Sequence, residues 1–202
     1  MNTPRAKARR SRALGIALTP KCGRYLDKRP YPPGVHGRQR RNLSDYALRL
    51  REKQRLRHQY NISEAQLRRA FDRANRQPGK TGANLVAALE TRLDAVVLRA
   101  GFARTIYQAR QLVVHRHFLI NGERVDRPSY QVQPGDYVHV VPRSRAKLPF
   151  QTAAAGGYSD RPAPSYLDVS LSDLRALLVR TPDRAQVPII CEDQLVVEFY
   201  SR

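Results

Sequence analysis

Cations at regular spacing are the residues of this chain best suited to chemistry. An arginine or a lysine occupies every second position from Arg49 to Arg57. Long side chains with several N–H donors are the groups that proteins use to bind phosphate oxygens. A solvated helix ordinarily pairs such cations with carboxylates at i,i+4, but only Glu52 lies within this run. The pattern favours contact with a polyanion over a solvated charged helix. The candidate phosphate contacts are Arg49, Arg51, Lys53, Arg55 and Arg57.

A second group of candidate contacts begins at Arg104. Thr105 and Gln108 have the spacing of a capping box, which predicts a helix from Thr105 to about His115. On a helical projection its apolar side chains share one arc, and its amide and imidazole side chains share the opposite face. Such a face contacts sugar-phosphate oxygens by shape without reading bases. The candidates are Arg104, Thr105, Gln108, Arg110, Gln111, His115 and Arg116, with Asn121 in the turn beyond.

Sequence patterns of catalysis and metal binding are absent. No Ser/His/Asp or paired-carboxylate arrangement stands out. Gly79-Lys80-Thr81-Gly82 is similar to the end of a nucleotide-binding phosphate loop, but position 74 is Ala74 rather than glycine, and the segment follows a helix instead of a strand. Cys22 and Cys191 have no Cys or His companions at ligand spacing. We expect no enzymatic activity, no cofactor and no metal.

The distribution of charge indicates where a polyanion would bind. The chain has 202 residues, with 37 Lys and Arg against 17 Asp and Glu, a formal net charge of +20. Residues 1–80 carry a net charge of +17 and residues 81–202 a net charge of +3. The commonest polyanion in a cytoplasm is nucleic acid. No stretch approaches the roughly 20 apolar residues of a membrane span, and the first residues lack an apolar signal region, so we expect a cytoplasmic protein with no membrane contact.

Residues 1–43 are predicted to form a basic, extended N-terminal arm. Apolar periodicity is weak there, and Pro30-Tyr31-Pro32-Pro33-Gly34 imposes an extended, turning backbone. Two interpretations are open: a disordered arm, or an extension that becomes ordered only against RNA. Its candidate RNA contacts are Arg5, Lys7, Arg9, Arg10 and Arg12.

Helices are predicted in the segments that follow. Ser44 begins one that ends near His58. Ser63 and Gln66 form a second capping box, at the start of a helix that ends near Arg76 and carries the candidate contact Arg69. Apolar residues at i,i+4 spacing predict a further helix from about Asn84 through Val97.

The later part of the chain predicts a sheet. Asn121-Gly122 between two short apolar runs indicates a hairpin, and residues 137–141 are typical of a strand. We therefore predict an α+β fold in which short helices pack on a small, mostly antiparallel sheet. Residues 195–200 are compatible equally with a strand and a helix.

Several of these residues together resemble a known module. They look like the small RNA-binding module named after small-subunit ribosomal protein S-four, which occurs in several families. Its marks here are Arg92-Leu93-Asp94, Gly101, Arg104-Thr105, Ala109-Arg110, His115, Val125, Pro128 and Gly135-Asp136. Motifs outside the module resemble the bacterial ribosomal S-four family itself, and the resemblance covers essentially the whole chain. They are Tyr31-Pro32-Pro33-Gly34, Ser44-Asp45-Tyr46, Glu52-Lys53-Gln54, Gly79-Lys80-Thr81-Gly82 and the tail from Gln194 to Tyr200.

The resemblance implies a structural role in the ribosome. Family members bind 16S ribosomal RNA at a multi-helix junction of the 5′ domain, nucleate assembly of the small-subunit body and contact neighbouring ribosomal proteins. They lie near the channel through which mRNA enters and influence decoding accuracy, which makes Arg38, Arg40 and Arg41 candidate mRNA contacts.

The resemblance also implies how the chain is divided. A helical domain at 44–91 is expected to be completed by about 176–202. The domain at 92–175 is inserted into it and holds the RNA-binding module at about 92–155. This arrangement favours a helix at 195–200.

Two departures from the family pattern concern Cys22 and Arg116. Many members carry a four-cysteine zinc site near the N-terminus, and because only Cys22 lies there, this chain resembles the zinc-free form. Many such modules have glycine where this chain has Arg116. An arginine adds a cation to that loop and puts the conformation of the turn in question.

Three other functions are open at this stage. A pseudouridine synthase carries the same module, and Arg92-Leu93-Asp94 resembles its catalytic motif, but a catalytic domain needs on the order of 100–200 further residues, far more than follow the module here. A ribosome-rescue factor would share the module without the Pro-Pro-Gly stretch and the tail. A DNA-coating protein would explain the charge but not the module.

Overall fold

The protein is described by a computed structural model that covers residues 7–39, 42–158 and 162–201. It divides into two compact units. The first is Met1–Phe71 with Ile189–Arg202, and the second is Asp72–Pro188. The first unit is discontinuous in sequence, because its last segment follows the whole of the second. The functional division at 44–91, 92–175 and 176–202 stays a prediction.

The N-terminal segment is helical, and the predicted extended arm is wrong for most of residues 7–28. Helix α1 (Lys7–Leu14) packs against helix α2 (Pro20–Lys28), and Leu14, Ile16 and Leu18 form a buried cluster. The Arg12 guanidinium donates hydrogen bonds to the backbone carbonyls of Arg29, Tyr31 and Pro32 at 3.1–3.3 Å. These bonds hold the proline-rich turn against α1, so the turn folds back instead of extending.

Two further helices that begin in the first unit start at the predicted caps. Helix α3 (Asp45–Gln59) starts after Ser44, whose Oγ accepts a hydrogen bond from the Ala47 N–H at 3.3 Å. Helix α4 (Glu64–Asn75) has the complete capping box, with reciprocal bonds of 3.3 and 3.0 Å between Ser63 and Gln66. Helix α9 (Asp193–Tyr200) packs on α3 and confirms the tail as a helix.

The second unit contains a helical break that the apolar spacing did not predict. The helix expected from Asn84 through Val97 is two helices, α5 (Thr81–Glu90) and α6 (Leu93–Arg99). Between them the Thr91 carbonyl accepts from the Val132 N–H at 2.8 Å, and Arg92 forms an isolated antiparallel bridge with Gln131. Pairing with this distant segment takes the backbone groups that a continuous helix would use.

Helix α7 (Ile106–Val114) precedes an antiparallel sheet, as predicted. Its strands are β1 (Phe118–Ile120), β2 (Glu123–Arg124), β3 (Tyr137–Val140), β4 (Leu167–Ser170) and β5 (Arg175–Leu178). The strand order is β2-β1-β3-β5-β4, and every pairing is antiparallel. The Asn121-Gly122 hairpin and the strand from Tyr137 are confirmed, whereas β4, β5 and helix α8 (Leu148–Ala154) were not predicted. The α+β class is confirmed.

One face of the sheet forms the core of the second unit. Phe118 is fully buried; its ring stacks on that of Phe102 and meets that of Phe150 edge to face, with ring centroids 6.3 and 5.9 Å apart. Val138 and Leu178 are also fully buried on this face.

Among the described residues, no helix is long and apolar enough to cross a bilayer.

Candidate nucleic-acid interface

Helix α1 carries four cations and no carboxylate. The Arg9 side chain is exposed, and those of Lys7 and Arg10 are half-buried. Arg12 is instead bonded to the backbone of the proline-rich turn, so it positions that turn. The candidate contact Arg5 lies outside the described residues.

Tyr31 lies in the proline-rich turn, next to two guanidinium groups. The Cζ atoms of Arg12 and Arg38 are 5.0 and 4.9 Å from the Tyr31 ring centroid, and Arg38 Nη2 donates to the phenol oxygen at 3.2 Å. This hydrogen bond from Arg38 lowers the pKa of Tyr31. Arg38 is exposed beside the turn, and the other two candidate mRNA contacts, Arg40 and Arg41, lie outside the described residues.

Helix α3 uses most of its cations within the first unit. Arg49 Nε forms an ion pair with Glu198 of α9 at 2.8 Å. Arg55 Nε donates to the Leu14 carbonyl at 2.8 Å, and its Nη1 pairs with Glu52 at the same distance. These two arginines therefore fix α9 and the end of α1 to α3. The sequence interpretation considered only carboxylates within the run and could not include partners more than 40 positions away.

Lys53 is the predicted phosphate contact with the least access to solvent. Its side chain is 7% exposed, its Nζ lies 3.0 Å from Glu64 Oε1, and the same atom lies 4.2 Å from the Phe199 ring centroid. The Lys53 ammonium is thus held by a carboxylate of α4 and an aromatic ring of α9, and it is withdrawn from solvent. Arg51, whose side chain is 37% exposed, is the most accessible of the five cations in the run.

Glu64 is the carboxylate that organises this helix interface. It also accepts a hydrogen bond from the Tyr200 hydroxyl at 2.6 Å and forms an ion pair with Arg57 at 3.4 Å. Burial acts to raise the pKa of Glu64, but the hydrogen bonds from Tyr200 and Lys53 outweigh it, and the pKa is lowered. Glu64 therefore stays ionised while it holds α9.

His58 is a feature of this surface that sequence reasoning missed. Burial, followed by the charges of Arg57 and Arg10, lowers the pKa of His58 to about 4. Cations of α1 and α3 thus converge on one neutral imidazole. The sequence feature that could have indicated it is a histidine directly after Arg57.

The candidate contact Arg69 is exposed on α4 in the same unit.

Helix α7 has the two faces that its sequence predicts. Ile106, Ala109, Leu112 and Val113 are buried, whereas Gln111 and His115 are exposed. The Thr105 Oγ1 caps the helix by accepting from the Gln108 N–H at 3.2 Å. Gln108 Oε1 accepts from the Arg104 N–H at 2.9 Å rather than from the Thr105 N–H, so the box is displaced by one residue. Thr105 and Gln108 hold the exposed Arg104 at the helix entrance.

Asp94 supports this face from the interior. It is fully buried and accepts two hydrogen bonds from Arg92, at 3.0 and 2.8 Å. Its second charged neighbour is Arg110 of α7, at 3.8 Å with 36% of its side chain exposed. A fully buried carboxylate that accepts two hydrogen bonds from Arg92 agrees with the structural interpretation of Asp94.

Arg116 and Asn121 shape the loops beside α7. Arg116 has φ of +60°, which explains why glycine suits this position, and its Nε pairs with Asp126 at 3.0 Å. Asn121 also has positive φ, and its side chain bonds Asp136 at 2.7 Å and the Tyr137 N–H at 2.9 Å. Arg116 keeps 67% of its side chain exposed, whereas Asn121 secures the hairpin.

The described residues contain no group of three or more His, Cys, Asp or Glu side chains that could hold a metal ion.

The predicted site residues fall into one group in each unit. In the first unit, Arg9, Arg38 and Arg69 are exposed and Arg51 is half-buried, with its Nε 3.8 Å from Glu52. Four others, Arg12, Arg49, Lys53 and Arg55, are occupied by closer bonds within the fold.

Comparisons with known proteins match the chain along most of its length. Residues 3–90 match the family described as Ribosomal protein S4/S9 N-terminal domain, and residues 91–138 match the S4 domain. Small ribosomal subunit protein uS4 of Paenarthrobacter aurescens is 62% identical, over 100% of this chain and 99% of the relative. The proteins of the same name from Beutenbergia cavernae and Streptomyces griseus subsp. griseus are 63% and 59% identical. These alignments cover 98% and 100% of this chain and 97% and 99% of the relatives.

Proposed function

This chain belongs to the small ribosomal subunit protein uS4 family, a family of structural proteins and not of enzymes, and on that premise we propose that it binds 16S rRNA directly. The observation that carries the proposal is the net charge of +17 over residues 1–80, borne by helices with exposed cations and few carboxylates. When side-chain cations bind phosphates, the counterions condensed on the RNA are released, and this release drives association.

Two surfaces would contact the RNA. The first unit offers exposed or half-buried cations of α1, α3 and α4, which are Lys7, Arg9, Arg10, Arg51, Arg57 and Arg69. The second unit offers the polar face of α7, where Arg104, Arg110, Gln111, His115 and Arg116 reach solvent. Neither surface needs to read bases, because both present donors to sugar-phosphate oxygens. With one surface in each unit, the chain can contact more than one RNA helix where helices converge.

The finer role that the family resemblance supports is that of a nucleating protein. The chain would bind a multi-helix junction of the 16S 5′ domain, start assembly of the subunit body and contact neighbouring ribosomal proteins. Arg38, with Arg40 and Arg41, would lie near the channel through which mRNA enters and influence decoding accuracy. The exposed guanidinium of Arg38, held beside Tyr31, supports this part of the proposal.

Chemical probing of a 16S 5′-domain transcript tests the RNA site. With the full chain we expect protections that cluster at one junction of helices. The variant Arg9→Gln/Arg51→Gln/Arg69→Gln should lose these protections. The control Asp168→Asn/Asp173→Asn, in strand β4 and the turn between β4 and β5, should keep them. Weak protection spread evenly along the transcript would contradict a junction site.

Reconstitution of the small subunit tests the assembly and decoding roles. Particles assembled without the chain should lack late-binding proteins of the body, and adding the chain should restore them. Particles that contain Arg38→Glu should assemble normally and misread at an altered rate. Normal assembly without the chain would contradict the nucleating role, and unchanged misreading would contradict the contact with mRNA.

A further inference from the structure

The face of the sheet opposite the core presents side chains to solvent in two rows. Residues directly opposite in an antiparallel pair share a face. The pairings Arg124–Leu119, Leu119–His139 and His139–Arg175 form one row across β2, β1, β3 and β5. Tyr137, two residues before His139, lies on the same face, opposite Leu177. None of these residues is buried, whereas the opposite face is the core of the unit.

Tyr137 is the centre of this face. It is 44% exposed, and the Arg175 Cζ lies 5.7 Å from its ring centroid. His139 is half-buried, and burial together with the charges of Arg145 and Arg175 lowers its pKa, so the imidazole is neutral at physiological pH. Two flat rings therefore lie on one strand, with an arginine over one of them. Bases of single-stranded RNA stack on such rings, and stacking tolerates any base because every base has a π-face.

The charges on this face suit a phosphate backbone. Arg124 on β2 and Arg175 on β5 lie on either side of β3, across three strand spacings or roughly 14 Å. Against these two cations, Asp168 on β4 is the carboxylate that the register places on the same face. The bases of an A-form duplex are stacked on one another and cannot stack on Tyr137 or His139, whereas unpaired bases can, so the RNA that fits is single-stranded.

We propose that the solvent face of this sheet is a binding site for single-stranded RNA, with one base stacked on Tyr137 and the backbone crossing between Arg124 and Arg175. The site uses none of the residues assigned to the α7 face or to the cations of the first unit. It goes beyond the proposed 16S junction contact and does not depend on it.

The test is a fluorescence-anisotropy titration of the full chain with a labelled oligouridine of about 10 nucleotides. Tyr137→Ala should weaken binding by about fivefold or more, since a stacked base is lost. Tyr137→Phe keeps the ring and should bind as wild type does. Arg175→Gln should weaken binding and reduce its dependence on salt concentration, because one phosphate contact is removed. Thermal unfolding of each variant checks that the fold is unchanged.

Matched controls separate this site from the junction contact. Tyr130→Ala removes another exposed tyrosine of the same unit, outside the sheet, and should leave oligouridine binding unchanged. Gln111→Ala on α7 should weaken binding to a 16S 5′-domain transcript while oligouridine binding persists. Equal oligouridine affinity for Tyr137→Ala and Tyr130→Ala would overturn the proposal. So would loss of a neighbouring ribosomal protein from particles containing Tyr137→Ala while oligouridine binding stays intact, because the face would then be a protein contact.

Discussion

Arg116 has a backbone conformation that residues other than glycine rarely adopt. Its φ of +60° costs an L-residue on the order of 1 kcal/mol, and its ion pair with Asp126 at 3.0 Å is solvent-exposed and weak. Arg116→Gly removes this strain but increases the entropy of the unfolded chain. We expect it to change the free energy of unfolding in urea by less than about 1 kcal/mol, and Arg116→Val to lower it by about 1–2 kcal/mol. Equal stability of the valine and glycine variants would contradict a strained turn.

The neutral imidazole of His58 gives stability a dependence on pH. The pKa of His58 is about 4 in the folded protein and 6.5 as an ordinary value, so between these pH values the unfolded chain binds a proton that the folded chain does not. The free energy of unfolding should therefore fall as pH decreases from 6.5 towards 4.

Removing the histidine tests this link. His58→Gln should flatten the decline of unfolding free energy in this range of pH. Arg10→Gln should narrow the pH range over which the free energy of unfolding declines, because the loss of a nearby cation moves the pKa of His58 towards its ordinary value. Parallel pH profiles of wild type and His58→Gln would show that the imidazole is not responsible.

At the scale of elements, Glu64 determines how firmly α9 is held. Glu64→Gln removes the ion pair with the buried Lys53, and hydrogen exchange of α9 amides at pH 7 should accelerate by about fivefold, which corresponds to about 1 kcal/mol for a half-exposed carboxylate. Because the pKa of Glu64 is lowered in the folded protein, its contribution is complete above the ordinary pKa of glutamate and is lost as pH falls through the lower value.

The matched control for Glu64 is Glu123→Gln, which removes an exposed carboxylate from β2 in the other unit. It should leave exchange in α9 at the wild-type rate. Unchanged exchange in Glu64→Gln would mean that packing of Phe199 and Tyr200 holds α9 without the carboxylate.

Elements whose limits depend on neighbouring residues were predictable. The caps at Ser44, Ser63 and Thr105 and the turn at Asn121-Gly122 act within four positions, and the structure has each of them. The break at Thr91 was not predictable, because it depends on pairing with residues about 40 positions away. Helix α1 was missed for the same reason, since distant partners of Arg12 and Arg55 stabilise it.

The candidate site was predictable only where exposure follows from local pattern. The polar face of α7 followed from its helical period, and Gln111 and His115 are exposed there. In α3 the charge pattern alone could not separate accessible cations from structural ones. Lys53 is buried because Glu64 and Phe199, from other helices, surround it, and no local pattern indicates that contact.

At the scale of the whole molecule, the accessible and the structural cations should behave differently. Arg9→Gln and Arg69→Gln should each weaken RNA binding with no change in thermal stability. Each should also reduce the slope of log affinity against log salt concentration by about 1. Arg55→Gln should lower thermal stability, since it breaks the bonds to Leu14 and Glu52. If Arg55→Gln leaves stability unchanged and weakens RNA binding as much as Arg9→Gln, this division of the cations is wrong.

The measurement that most directly tests the central proposal is a binding titration across a series of salt concentrations. The full chain is titrated with a 16S 5′-domain transcript and, in parallel, with an unrelated RNA of equal length. The two proposed surfaces predict a preference for the 5′ domain on the order of 10³ that persists as salt increases. Equal affinities that fall together with salt would contradict a specific 16S site and leave only non-specific attraction between a basic protein and RNA.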